Sequence, residues 1–303
     1  MAKYVFKRVI LAIVTIFIVC AITFFTMNAI PGGPFNGEKA TSPQVRETLE
    51  KRFNLDKPVG EQFVIYMKNL LHGDFGISAK TGRDIGVTIS SKFAVSARLG
   101  IFAVIVALIL GVFFGSIAAL MRNRWPDRLI IFMSTLFTSL PSFVLATFLL
   151  VVFSVRLGWV KAWSPTHQSL VLPVLSLAAY PAAYITRLTK TSMLDVLGQD
   201  YVRTARAKGV AQVKVLFVHT LRNSLIPVVT YVGPMIASVL TGSLVVENIF
   251  TIGGLGAEFV TSITNRDYPM IMGVTIFLAV FMVTMNLITD IVYKLIDPRI
   301  NLD

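Results

Sequence analysis

Six stretches of the chain are apolar for long enough to cross about 30 Å of hydrocarbon, which takes roughly 20 helical residues. They run over Val9–Ile30, Leu99–Met121, Leu129–Phe153, Ser169–Leu188, Leu225–Val246 and Met270–Tyr293. The pattern predicts an all-α integral membrane protein with about six transmembrane helices. The first stretch is longer than the apolar core of a secretory signal and lacks an A-x-A cleavage pattern, so it reads as a retained helix. Pro141, Pro173, Pro181, Pro227 and Pro234 lie inside these stretches. Each is expected to remove a backbone donor and bend its helix, as suits helices grouped around a pathway. Gly111 and Gly115 form a G-x-x-x-G in the second stretch. That spacing lets two helix backbones approach closely, and helix packing within one subunit is the simpler expectation.

The polar segments divide the rest. Residues 1–30 hold the N-terminal end and the first span, and residues 99–303 hold the other five. Between them lies a segment, Pro31–Arg98, too long to be a simple connection. It opens on the turn-rich run Pro31–Gly37 and predicts a short helix from Ser42 to Arg52. A second helix is expected over Val59–Leu71, with Phe63, Tyr66, Met67, Leu70 and Leu71 on one apolar face. Such a helix rests on the membrane interface or on other helices, and serves either as a structural cap or as a docking surface or lid.

A second polar stretch, within 190–224, holds Arg203, Arg206 and Lys208 alternating with Thr204, Ala205 and Ala207, and then Gly209. A further helical piece is expected over Gln212–Arg222, with Val213, Leu216, Phe217 and Leu221 at helical spacing. The result is a basic helix–Gly–helix element outside the bilayer. Its small residues fit a groove in another protein, where its cations pair with acids. Composition leaves anionic lipid as an alternative partner.

Charge orients the chain. The net charge is +12, and only 15% of residues are charged against a mean hydropathy of +0.73. Fifteen Lys and Arg fall in the N-terminus, 122–128, 187–222 and the C-terminal tail, and three fall in the two short loops on the other side. The remaining ten lie in Pro31–Arg98, where long segments cross regardless of charge. Both termini are therefore expected inside, in the cytoplasm, and Pro31–Arg98 outside. Topology thus explains the basicity, and no nucleic-acid partner is expected.

The same positions exclude several chemistries. Cys20 is the one cysteine, so neither a disulfide nor a cysteine metal cluster is available. His72, His167 and His219 are far apart, and the expected topology puts His219 opposite the other two, so no histidine metal site is expected. H-E-x-x-H and G-x-S-x-G are absent, which argues against a membrane enzyme. No G-x-x-x-x-G-K-[ST] phosphate loop is present, and Gly253–Gly256 reads as a tight turn near the outer mouth. Carboxylates do not sit at mid-span, since Glu247 and Asp290 lie near span ends. That argues against an ion-coupled carrier, and no filter-like repeat suggests a channel.

The polar element carries a resemblance. Aligned on Gly209, Arg203-Thr204-Ala205, three residues and Gly209 resemble the signature loop of permeases in ATP-binding-cassette importers. That loop generally reads Glu-Ala-Ala, three residues, Gly, then Ile-x-Leu-Pro. Here the Glu and first Ala are absent and the nearest proline is Pro227. This departure is itself similar to the peptide branch, which reads Arg-Thr-Ala-Arg-Ala-Lys-Gly and then a His-x-Leu run, here His219-Thr-Leu221-Arg-Asn223. Further stretches agree along the chain: Pro31–Glu38, His72–Gly76, Pro141–Val144, Thr241–Glu247, Gly253–Gly256, Asn265–Tyr268 and Asp297–Arg299. The whole resembles most the first permease subunit of oligopeptide importers.

The resemblance implies a type I importer permease fold. It also implies a second homologous permease, two separate ATPase subunits and an extracytoplasmic peptide-binding protein in a bacterial or archaeal cytoplasmic membrane. ATP would be used by the partners, with no cofactor bound by this chain. Arg203, Thr204, Ala205, Arg206, Ala207, Lys208, Gly209, His219 and Leu221 would couple the chain to an ATPase. The substrate would be oligopeptides, with dipeptides or another small solute such as a metal chelate as alternatives. Neither the sequence nor the resemblance identifies the residues lining the pathway.

Overall fold

The computed structural model describes residues 2–30, 51, 53–164, 166–211 and 214–296. Among these the structure is helical apart from two isolated β-bridges, Ile77–Asp84 and Ser164–His167. Four helices are long and apolar enough to span a bilayer, and six spans result if two bent helix pairs are each counted as one. Apart from Lys51, which is helical, the expected short helix at Ser42–Arg52 lies outside the described residues, as do the Pro31–Gly37 turn and Asp297–Arg299. The chain falls into two compact units, residues 1–95 with 253–284 and residues 96–252 with 285–303.

In the first unit, helix α1 (Ala2–Ala29) carries α2 (Val59–Leu71) on its side. Phe63 sits 5.3 Å from Phe24 and 5.2 Å from Phe25 between ring centres, and Tyr66 lies 5.8 Å from Phe24. Burial, with Cys20 adding to it, pushes the Tyr66 phenol well above its ordinary range. Leu71 departs from the expected apolar face and is 82% exposed. It ends the helix, where the chain turns away through Gly73 at a φ of +78°.

Helix α3 (Ile85–Leu120) starts fourteen residues before the apolar stretch that predicts it. Hydropathy misses this beginning because Ser90, Ser91, Lys92, Ser96 and Arg98 dilute it. The local signals are nonetheless strong: Asp84 accepts the Val87 N–H at 2.8 Å as an N-cap, and Ile85 and Ile89 are buried. They form a small core with Leu255 of α9 (Leu255–Thr264) and with Met270 and Val274 of α10 (Tyr268–Ile296). Beside this core, the buried Asp267 accepts the Ser78 hydroxyl at 2.5 Å and the Ala79 N–H at 3.1 Å, pinning the 77–84 turn to the start of α10.

The second unit contains α4 (Trp125–Ser139), α5 (Ser142–Leu149) continued by a π-helix (Leu150–Arg156), α6 (Val171–Leu197), α7 (Asp200–Ala207) and α8 (Ile226–Ile249). Its core includes Leu99, Ala103, Ala107, Ile185, Val228 and Met235. Gly111 and Gly115 lie directly on α6. A Cβ at Gly111 would sit 2.6 Å from Ile185, and one at Gly115 would sit 2.6 Å from Thr186 O and from Thr189. The third apolar stretch is not one straight span: α4 and the α5 segment meet at Leu140–Pro141 with a bend of 105°. The other prolines act unequally. Pro173 and Pro227 occupy first turns, where no donor is lost, while Pro181 and Pro234 lie within helices that continue.

Candidate functional site

The basic element is built on the end of α6. After Leu197 the chain turns through Gly198 into α7, which ends at Gly209 with a φ of +74°. The Val210 N–H reaches back to Ala205 O at 3.2 Å, the six-to-one bond of a left-handed helix cap. Val202 and Ala205 from α7 and Val215 from the following segment form a small core, with Val196, Leu197 and Val210 packed against it. Among the residues expected here, Arg203, Thr204, Ala207, Lys208 and Gly209 are exposed, whereas Ala205 faces inward and Leu221 is half-buried. Arg206 lies on α7 and His219 on the next helical segment.

That segment is a π-helix over Val215–Leu221 rather than the expected α-helix, and Gln212 and Val213 fall outside the described residues. The wider turn serves burial. Val215, Thr220 and Ser224 are all buried, and the five-residue step from 215 to 220 fits a π turn. The Thr220 hydroxyl bonds Val215 O at 3.1 Å. A single α turn, Arg222–Ser224, completes the element, and Asn223 donates to the Tyr201 hydroxyl at 2.9 Å, joining its two arms. The outward face shows Tyr201, Phe217, Lys208, Lys214 and Arg222. The Arg203–Asp200 pair on this face is 3.7 Å apart with both side chains mostly in solvent, so it contributes almost nothing to stability. Aromatic rings and exposed cations beside small residues make a surface that suits an acidic protein groove.

Two features escape sequence reading. Lys190, two turns before the end of α6, pairs with Asp127 in the first turn of α4 at 2.5 Å. The Asp127 side chain is 6% exposed, and its other oxygen accepts the Asn123 N–H at 2.9 Å, which holds the turn between α3 and α4. The pair thus ties α6 to the start of α4. The two residues lie 63 positions apart, so no spacing rule finds them.

The second is a cavity of about 340 Å³ at the α4–α5 break. It is lined by Ser139, Ser142, Tyr180, Tyr231 and Ser238 among others, with Pro181 on its wall. The rings of Tyr231 and Tyr184 pack 4.4 Å apart beside it. Pro141 and Pro181 were the visible signals, although nothing in the sequence shows that they meet. Among the described residues no group of acids, histidines and cysteines is placed to hold a metal.

The sequence pattern of the family described as "Binding-protein-dependent transport system inner membrane component" matches residues 111–302, and its N-terminal companion matches residues 1–99. The chain is 44% identical over 306 residues to the dipeptide transport system permease protein DppB of Bacillus subtilis, covering 100% of this chain and 99% of the relative. It is 40% identical over 305 residues to the oligopeptide transport system permease protein OppB of Haemophilus influenzae, covering 99% of each. Among solved structures, an amino acid ABC transporter determined with histidines superposes with a TM-score of 0.52. It covers 68% of this chain and 93% of that one at 16% identity, a likeness of fold.

Proposed function

This chain belongs to the family of inner membrane components of binding-protein-dependent transport systems, and from that premise we propose that it is the permease subunit of an ATP-driven importer of oligopeptides. The observation that carries the reading is full-length identity to peptide permeases in a chain that also displays the basic element on α7. Dipeptides are the second reading, favoured by the 44% identity to a dipeptide permease. The partners are a second homologous permease, two ATPase subunits and an extracytoplasmic binding protein. This chain has no ATPase site of its own, and both termini are cytoplasmic, in keeping with the excess of Lys and Arg on that side.

The geometry supports a mechanical route. The outward face of Tyr201, Arg203, Lys208, Lys214 and Arg222 docks in an ATPase groove. ATP-driven closure of the ATPases shifts the element as one body, because Val202, Ala205 and Val215 lock its arms together. The shift passes into α6 through Leu197 and from α6 to α4 through Lys190–Asp127. It reaches the break at Leu140–Pro141, where α4 and α5 change their angle and open or close the passage. Co-expression with the neighbouring transport subunits, purification on a tag carried by this chain and uptake of labelled peptides into proteoliposomes test the reading. ATP-dependent uptake with two ATPases in the complex is expected; a chain that purifies alone and conducts without ATP overturns it.

A further inference from the structure

We infer that the 340 Å³ cavity at the α4–α5 break is a wall of the passage and touches the backbone of the travelling peptide; this rests on the peptide-import reading above. Depth is the first ground. Helix α4 has 15 residues, so its outer end lies about 22 Å along the helix from the inner interface. Tyr180 is the tenth residue of α6, about 14 Å from that helix's outer end. Both positions fall well inside a hydrocarbon layer of about 30 Å.

At that depth the backbone is unwound at Leu140–Pro141, and Ser139, Pro141 and Ser142 are exposed on this chain. Non-helical backbone cannot face lipid, since its polar groups would have no partners there. Tyr180 is 49% exposed, and Ser238 is exposed as well. Hydroxyls gathered at an exposed helix break belong beside water or a polar solute.

A second cavity, of about 440 Å³, makes a contrast. It is walled mainly by aliphatic and aromatic residues such as Leu110, Phe114 and Met133, with hydroxyls only at Ser134 and Thr186, whereas Thr138, Ser139, Ser142, Tyr180, Tyr231 and Ser238 bring hydroxyls to the cavity at the break.

Chemistry names the solute. Hydroxyls both donate and accept, so they match the N–H and C=O of any peptide bond, and the tyrosine rings accept an apolar side chain or an ammonium group. Asp, Glu, Lys, Arg and His are absent from the lining, so side chains of either sign pass without being held. Weak, charge-indifferent contact is what a conduit for varied peptides needs.

The test places a charge in the wall of the complete importer. Uptake of otherwise matched peptides of net charge plus one, zero and minus one is measured in proteoliposomes carrying Ser142→Lys, Ser142→Asp or the neutral Ser142→Asn. Relative to the unaltered importer, Ser142→Lys is expected to slow the cationic peptide about tenfold more than the anionic one. Ser142→Asp reverses the order, and Ser142→Asn treats all three alike. Equal slowing of all peptides by both charged variants assigns Ser142 to an interface with the partner permease and overturns the inference, as does the absence of any effect. Ser238→Lys and Ser238→Asp give the same reading where a Ser142 change stops assembly. An unaltered complex that takes up no peptide contradicts peptide import itself, whereas uptake without charge discrimination contradicts the cavity alone.

Discussion

Residue by residue, four helices among the described residues end in the same left-handed cap, two of them on glycine; Gly73 closes α2, with its six-to-one bond from the Asp74 N–H to Asn69 O at 3.0 Å. Gly209 closes α7, Thr251 closes α8 at a φ of +55° and Arg266 closes α9 at a φ of +55°. Each is followed by a six-to-one bond: Val210 to Ala205 O, Ile252 to Glu247 O and Asp267 to Ser262 O. A β-branched residue is strained there, so Thr251→Gly is expected to stabilise the protein by about 1 kcal/mol, read as a higher unfolding temperature in detergent. An unchanged or lower temperature contradicts the strain. The converse applies at Gly209, where a Cβ meets no neighbour but the φ penalises one. Gly209→Val costs about 1–2 kcal/mol locally and re-aims the basic arm. ATP hydrolysis without uptake is expected in reconstituted vesicles, with normal membrane insertion, and Gly209→Asn should retain coupling. Full transport by the valine variant counts against the role. Lys190→Met leaves a buried, unpaired Asp127 and is expected to cost about 3 kcal/mol in thermal unfolding. Exchanging the two residues should recover much of that loss; a swap as unstable as the single variant contradicts a direct pair.

For the helices, legibility followed hydropathy. The apolar stretches locate the spans because a bilayer demands their length, and α2 was visible from its alternation of Phe63, Tyr66 and Met67. Hydropathy failed where a helix is stabilised by means other than lipid. The first four turns of α3 mix Ser, Thr, Lys and Arg with apolar residues but are capped by Asp84 and anchored by Ile85 and Ile89. The π turn after Lys214 exists to bury Val215 and Thr220, a tertiary demand that no local propensity carries. The α4–α5 break shows in sequence as Pro141 alone, which cannot reveal a bend of 105°. The close approach of α3 and α6 was legible as G-x-x-x-G, but its partner helix was not. Gly111→Val drives a side chain into Ile185 and is expected to cost about 1–3 kcal/mol, seen as a lower unfolding temperature; an unchanged temperature contradicts the close approach. In the first unit, Asp267→Asn weakens the bonds from Ser78 and Ala79. Faster hydrogen exchange over residues 77–84 is expected, and unaltered protection would show that the turn holds without that carboxylate.

For the whole molecule, the membrane class was legible from composition, and the bias of Lys and Arg supplies the proposed orientation. The proposed mechanism is harder to read there, because a machine built from several chains hides its contacts in surfaces rather than motifs. The central claim is that the α7 element faces the cytoplasm and is gripped by an ATPase. Cys20 is buried, so a chain with Cys20→Ser accepts single reporter cysteines cleanly. The most direct measurement places a cysteine at Ala207, which is exposed, and follows its modification by a membrane-impermeant thiol reagent in inverted and right-side-out vesicles. Labelling in inverted vesicles only, suppressed when the ATPase subunits are bound, is the result expected. Labelling from the exterior face, or equal labelling with and without the ATPases, would contradict it.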